Sequence, residues 1–115
     1  MPSPPLVPDD GPIDFEHLAR MTLGDPALES EVLTMFATQS AKLLGQLTSL
    51  PAGAGALAHT LKGSARAVGA FAVAEAAARL EAALGETGAA RVALDGLADA
   101  VAEAQGAIEA FLSQG

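Results

Sequence analysis

From Asp25 onward the apolar residues recur at helical spacing. Leu33, Phe36, Leu43, Leu47 and Leu50 follow one face of a helix, with Ser40 filling one step. Asp25 before Pro26 places a carboxylate N-cap ahead of proline at the first helical position. Pro51 and Gly53 mark the turn that follows. A further helix is expected from about Ala54 to Val68, with Gly69 as its C-cap. Val73, Ala77, Leu80 and Leu84 define the next, ending at Gly85. The stretch "GETG" reads as a loop. A last helix over roughly 89–112 turns Val92, Leu97, Val101, Ala104, Ile108 and Leu112 inward. Ahead of these four, "IDFEHLARM" predicts a short helix, with Asp14 as N-cap, Glu16 in the first turn, and Gly24 ending it.

Short connections between long helices make antiparallel neighbours. The expected fold is all-α: an up-down-up-down four-helix bundle with a short extra N-terminal helix capping one end. Residues 1–12, "MPSPPLVPDDGP", hold five prolines and two aspartates, Asp9 and Asp10, and read as a disordered leader to one bundle domain over 13–115. The leader has neither the basic nor the apolar region of a signal peptide.

Composition narrows the functional classes. Half of the 115 residues are hydrophobic but only 3% are aromatic, and alanine dominates. Such a chain favours helices that approach closely, because alanine combines high helix propensity with little bulk. Net charge is -8, which repels nucleic acid and anionic membrane surfaces. There is no cysteine, hence no disulfide and no thiolate site. No apolar run reaches the length of a membrane span. These features fit a cytoplasmic protein, expected to be a monomer.

Against this acidic background the stretch "AHTLKGSARAVGA", Ala58 to Ala70, concentrates positive groups around one histidine. With His59 at zero on a helical wheel, Leu57, Leu61, Ser64, Ala65 and Val68 fall at roughly 140–240° and form the expected core stripe. Lys62, Gly63 and Arg66 lie within about 60° of His59. One outward strip therefore carries His59, Lys62, Gly63 and Arg66. A polar strip on an amphipathic helix is ordinary. Two details set this one apart. Gly63 lies mid-helix, where glycine costs about 1 kcal/mol relative to alanine, as though something outside must come close. Lys62 and Arg66 are also two of only six basic residues in the chain.

An outward neutral imidazole is a good nucleophile near neutral pH. A lysine one turn away can neutralise an incoming phosphoryl group. Phosphoryl transfer needs mainly positioning and charge neutralisation. Other chemistry is poorly served. His17 is the only other histidine and sits on the short first helix, so a metal site lacks ligands. Ser64 faces the core side, which leaves no Ser-His-Asp triad. There is no GxxxxGK[ST] loop, and "LGETG" lacks the lysine, so no means of binding ATP is visible. No cofactor is expected.

"HTLKGSARAVGA…LE" closely resembles the signature of histidine phosphotransfer (HPt) domains, with His59, Lys62, Gly63, Ser64, Gly69 and the Leu80-Glu81 pair in register. The likeness extends more loosely over 13–113, through the "ID" start, "GDPALESEVLTMF" and the length of the last helix. The resemblance implies a four-helix bundle that carries phosphate on an outward histidine, in a phosphorelay between response-regulator receiver domains, and with a hybrid histidine kinase upstream. It implies that His59 is the phospho-acceptor, that Lys62 neutralises the phosphoryl group, and that Gly63 leaves room for the receiver. Glu81 matches the polar position that lies beside the histidine and orients it; an ordinary solvated glutamate is the alternative. Ser64 and Arg66 fall within the docking face. Arg66 departs from the small residue usual there, and either pairs with acids on a partner, helps hold phosphate, or crowds the dock. Arg79 either extends the basic patch or is merely solvated.

The expected function is thus a shuttle that takes phosphate from one protein and gives it to another, without catalytic machinery for ATP. The leader and start methionine favour an independent protein over a module of a larger hybrid kinase. A non-catalytic HPt-like adaptor is the other reading. Retention of His59 with Lys62 argues against it. A hydrolase is remote.

Overall fold

The computed structural model describes residues 11–114. The expected leader, apart from Gly11 and Pro12, lies outside the described residues. Five α-helices follow in order: α1 Phe15–Met21, α2 Pro26–Leu47, α3 Ala54–Val68, α4 Phe71–Ala83 and α5 Thr87–Ser113. There is no strand among the described residues.

Local chemistry sets the helix starts. Asp14 accepts a bond from His17 N, and Asp25 accepts from Ala27 N and Leu28 N with Pro26 at the first position. Glu86 does the same for α5, its carboxylate taking the amides of Gly88 and Ala89 at 2.9 Å each. That cap starts α5 at Thr87, so the expected "GETG" loop is shorter than its glycines suggest. The end of α2 also differs. The helix stops at Leu47, and Leu50 stands in the connecting turn at φ 47, half-buried against the core. Arg91 of α5 reaches across to donate to Thr48 O at 3.1 Å, satisfying a carbonyl left free by the helix end.

α2 and α4 each pack against both α3 and α5, so they stand diagonally opposite in a four-helix bundle. The core runs through Leu33, Phe36, Leu43 and Leu47 of α2, Leu61 and Val68 of α3, Val73 and Leu80 of α4, and Leu94, Leu97, Val101 and Ile108 of α5. Ser40 is fully buried among them. Its hydroxyl donates to Ala37 O, and Gln105 of α5 donates to the same carbonyl at 3.2 Å, so the polar step in the α2 stripe is satisfied. On α5 the buried positions run Ala90, Leu94, Leu97, Val101, Ala104, Ile108. Val92 is therefore not inward but 73% exposed, two residues and about 200° from Leu94. Leu112 is likewise 37% exposed. Phe111 takes the contact at that end, stacking on Phe15 with ring centroids 5.2 Å apart.

The α3 stripe is rotated from expectation. Its buried residues are Ala54, Ala58, Leu61, Ala65 and Val68, whereas Leu57 and Ser64 are only half-buried. Alanines, not the bulkier Leu57, line the buried side of α3, and α4 answers with Ala74 and Ala77. Small facing side chains let helix axes approach closely, and this pair of helices carries the site.

The short α1 closes the end where α3 gives way to α4. Asp14 N donates to Gly69 O at 2.9 Å, and His17 Nε2 donates to Ala67 O at 3.3 Å while its ring meets Phe71 edge-on. His17 is thus a structural residue of this junction. Gly69 ends α3 at φ 88, and a Cβ there would lie 2.8 Å from Asp14 O. Both strain and crowding by backbone forbid a side chain. Gly69→Ala is expected to destabilise the protein by about 1–3 kcal/mol. Gly45→Ala, in the last turn of α2 with open space around it, should raise the melting temperature instead. Thermal melts of the two variants check the contrast.

Candidate functional site

His59 is the sixth residue of α3, on the side turned away from Leu61 and Ala65. Its side chain is 71% exposed. The residue that meets it comes from α4. Glu81 lies one residue past buried Leu80, on the edge of α4 that faces α3, and its side chain is 26% exposed. Glu81 Oε2 is 3.3 Å from His59 Nδ1, and Glu81 Oε1 is 2.7 Å from Lys62 Nζ. One carboxylate thus bridges two residues set one turn apart on the neighbouring helix.

This geometry assigns roles to atoms. A carboxylate can only accept, so the His59 bond requires the proton on Nδ1. In the neutral ring Nε2 then carries the lone pair, at the outer end of an exposed side chain. Glu81 Oε1 is closed off from water, and its partner is the Lys62 ammonium 2.7 Å away. The contact with Lys62 is the main reason that Glu81 titrates below the ordinary carboxylate value; burial opposes it, and His59 adds to it. A carboxylate with a depressed pKa adds stability at pH above its ordinary value, and that contribution is lost as pH falls through the depressed one.

Lys62 differs from expectation. Its ammonium does not face open solvent: the side chain is only 19% exposed and is tied down on Glu81. The lysine stem lies along the α3–α4 groove because Glu81 offers its charge there. His59, Lys62 and Glu81 are therefore brought together as one unit.

Gly63 lies beside them with nothing within 4 Å of where a Cβ would be, so the surface next to His59 is open. Mid-helix glycine alone does not mark a docking site here, since Gly45, Gly96 and Gly106 are equally open positions inside α2 and α5. Gly63 is distinguished by its place one turn from His59. Arg66 is exposed and makes no ion pair among the described residues. Ser64 turns partly inward and is half-buried. Arg79 does not extend the basic patch. It pairs with Glu75 at 2.6 Å and lines the groove between α4 and α5 with Ala76 and Gly96, nearly opposite Glu81 on its helix. Among the described residues no group of three or more His, Cys, Asp or Glu could hold a metal ion, and no helix is long and apolar enough to cross a membrane.

A four-helix bundle thus presents one histidine outward from α3, braced by an acid from α4. The sequence matches the Hpt domain family over residues 31–114, and the chain belongs to that family. Hpt domains serve histidine phosphotransfer in phosphorelays and interact there with receiver domains and kinases. Neither the comparison with curated proteins nor that with solved structures finds a match.

Proposed function

We propose that the protein is a phosphorelay intermediate that accepts a phosphoryl group from the aspartyl phosphate of one receiver domain on His59 Nε2 and delivers it to the aspartate of another. The observation that carries this reading is the bridged unit. Glu81 fixes the ring by Nδ1 and leaves Nε2 outward, as an in-line nucleophile requires.

In the forward step the Nε2 lone pair attacks phosphorus, an N–P bond forms, and the P–O bond to the receiver's carboxylate breaks. The carboxylate leaves with the bonding electrons. The ring becomes cationic, still protonated at Nδ1, and the Glu81 carboxylate against that nitrogen stabilises the new charge. The reverse sequence on a second receiver restores the neutral imidazole. No ATP and no metal on this chain enters either step. Lys62 is one carboxylate away from the reacting nitrogen, and an arriving phosphoryl group competes with Glu81 for its ammonium. Gly63 leaves the approach clear, and Arg66 belongs to the surface that a receiver covers.

Lys62→Ala is expected to slow phosphoryl transfer about tenfold, the equivalent of one charged contact worth roughly 1–2 kcal/mol. It should also release the Glu81 carboxylate and loosen the ring. Single-turnover transfer from a phosphorylated receiver measures the first effect. The function itself is tested with two receivers: labelled phosphate loaded on one should pass through this protein to the other. Receivers that exchange phosphate equally well in its absence would contradict the reading.

A further inference from the structure

Four of the six cationic side chains are engaged within the fold: Arg20 on Glu16, Lys62 on Glu81, Arg79 on Glu75, and Arg91 on Thr48 O. Two exposed ones, Lys42 of α2 and Arg66 of α3, have no ion pair or side-chain hydrogen bond among the described residues. Their placement is not scattered. The α5-facing flank of α2 is marked by Ala37, whose carbonyl takes the bond from Gln105. Lys42 is about 140° round the helix from Ala37, on the outer side of the opposite flank, the one towards α3. Its height follows from the connection. Lys42 stands five residues before Leu47, the last of α2, and His59 five residues after Ala54, the first of α3. At about 1.5 Å per residue both lie roughly 7.5 Å from the turn. The same count levels Met35 with Arg66, each twelve residues from that turn. Met35 shares the Lys42 flank, about 20° away, and is 65% exposed.

Resting on the phosphorelay reading above, we propose that Lys42 and Arg66 frame the face around His59 as a two-helix cationic clamp, with Met35 as its apolar floor, and that this clamp selects receiver domains with an acidic rim. A chain of net charge -8 repels acidic partners on average. Two cations left unneutralised on the face that must be approached give such a partner one attractive orientation. They act before chemistry, on encounter, and Lys62 is not available for this task because Glu81 already holds it. Like-charge contact elsewhere then rejects other orientations.

The test compares Lys42→Gln/Arg66→Gln with a control of equal charge change, Arg20→Gln/Arg79→Gln, whose cations lie outside this face. The probes are phosphorylated receiver domains that transfer to the parent protein, and phosphoramidate as a small donor. The clamp variant should retain its melting temperature. Its transfer from the receivers should slow roughly tenfold or more at low ionic strength, with the gap closing as salt is raised. Labelling by phosphoramidate should slow far less, and the control should stay near the parent. Equal loss in the control would show that only net charge matters and would overturn the clamp. Equal slowing with phosphoramidate would assign the two cations to the phosphoryl group instead, and would overturn it too. Parent-like transfer by the clamp variant removes the clamp and leaves the relay reading standing. A parent protein that exchanges phosphate with no receiver would remove both.

Discussion

His59→Gln is expected to lose all acid-labile phosphate while remaining folded. The ring is exposed, so its replacement disturbs no core contact, and a glutamine amide can still donate to Glu81 across the same gap. What disappears is the nucleophile, since an amide nitrogen has no lone pair to offer phosphorus. Label taken up by the parent should be lost in acid and survive mild base, the behaviour of a phosphoramidate. His17 is held within the fold instead: it is half-buried, with Nε2 on Ala67 O and its ring against Phe71 at the α1 junction. Uptake of label from a phosphorylated receiver, followed by acid and base treatment, measures the effect. Acid-labile label persisting in His59→Gln would move the acceptor elsewhere.

Gly63→Gln should separate docking from chemistry. There is open space at this position, so the fold accepts a side chain. Gly63→Ala should even stabilise the protein by about 0.5–1 kcal/mol, the usual gain on replacing a mid-helix glycine. A glutamine there, one turn from the reacting nitrogen, stands in the path of a receiver. Displacing the partner by even 1 Å from in-line geometry costs on the order of a hundredfold in rate. Transfer from a receiver should fall by about that factor, whereas phosphoramidate, which needs no wide contact surface, should be hindered far less. The pair of rates, with a thermal melt to confirm folding, decides it. Receiver transfer at the parental rate would leave Gly63 no docking role.

Much of the fold was legible in the chain because caps and breakers fall where helices end. Asp14, Asp25 with Pro26, and Gly69 act as their residue types suggest. The misreadings have physical causes. Leu50 kept the apolar rhythm of α2 yet belongs to the turn, where it packs on the core from outside the helix. Val92 looked inward because it is apolar, but the inner stripe of α5 contains Ala90 and Leu94, and alanine gives a periodicity argument little contrast. The same weakness turned the α3 stripe towards Leu57, when Ala54, Ala58 and Ala65 are the buried residues.

The site was legible in its members but not in its wiring. His59, Lys62 and Gly63 share a strip on any wheel of α3. That Lys62 would be held by Glu81 rather than face solvent depends on the register of α3 against α4, a tertiary fact. A signal was present in the spacing: His59 lies ten residues before Gly69 and Glu81 eleven after Ala70, so the two are nearly level across the connection. The same count from the α2–α3 turn puts Lys42 level with His59, a cation that the pattern along α3 alone does not show.

The central claim is that the phosphoryl group resides on Nε2 of His59. A long-range proton–nitrogen spectrum of the protein, recorded after loading from a phosphorylated receiver, locates it directly. Phosphorus coupling should appear on the ring nitrogen of His59 that is remote from Glu81, with Nδ1 remaining protonated. Coupling at Nδ1, or on the ring of His17, would contradict the account.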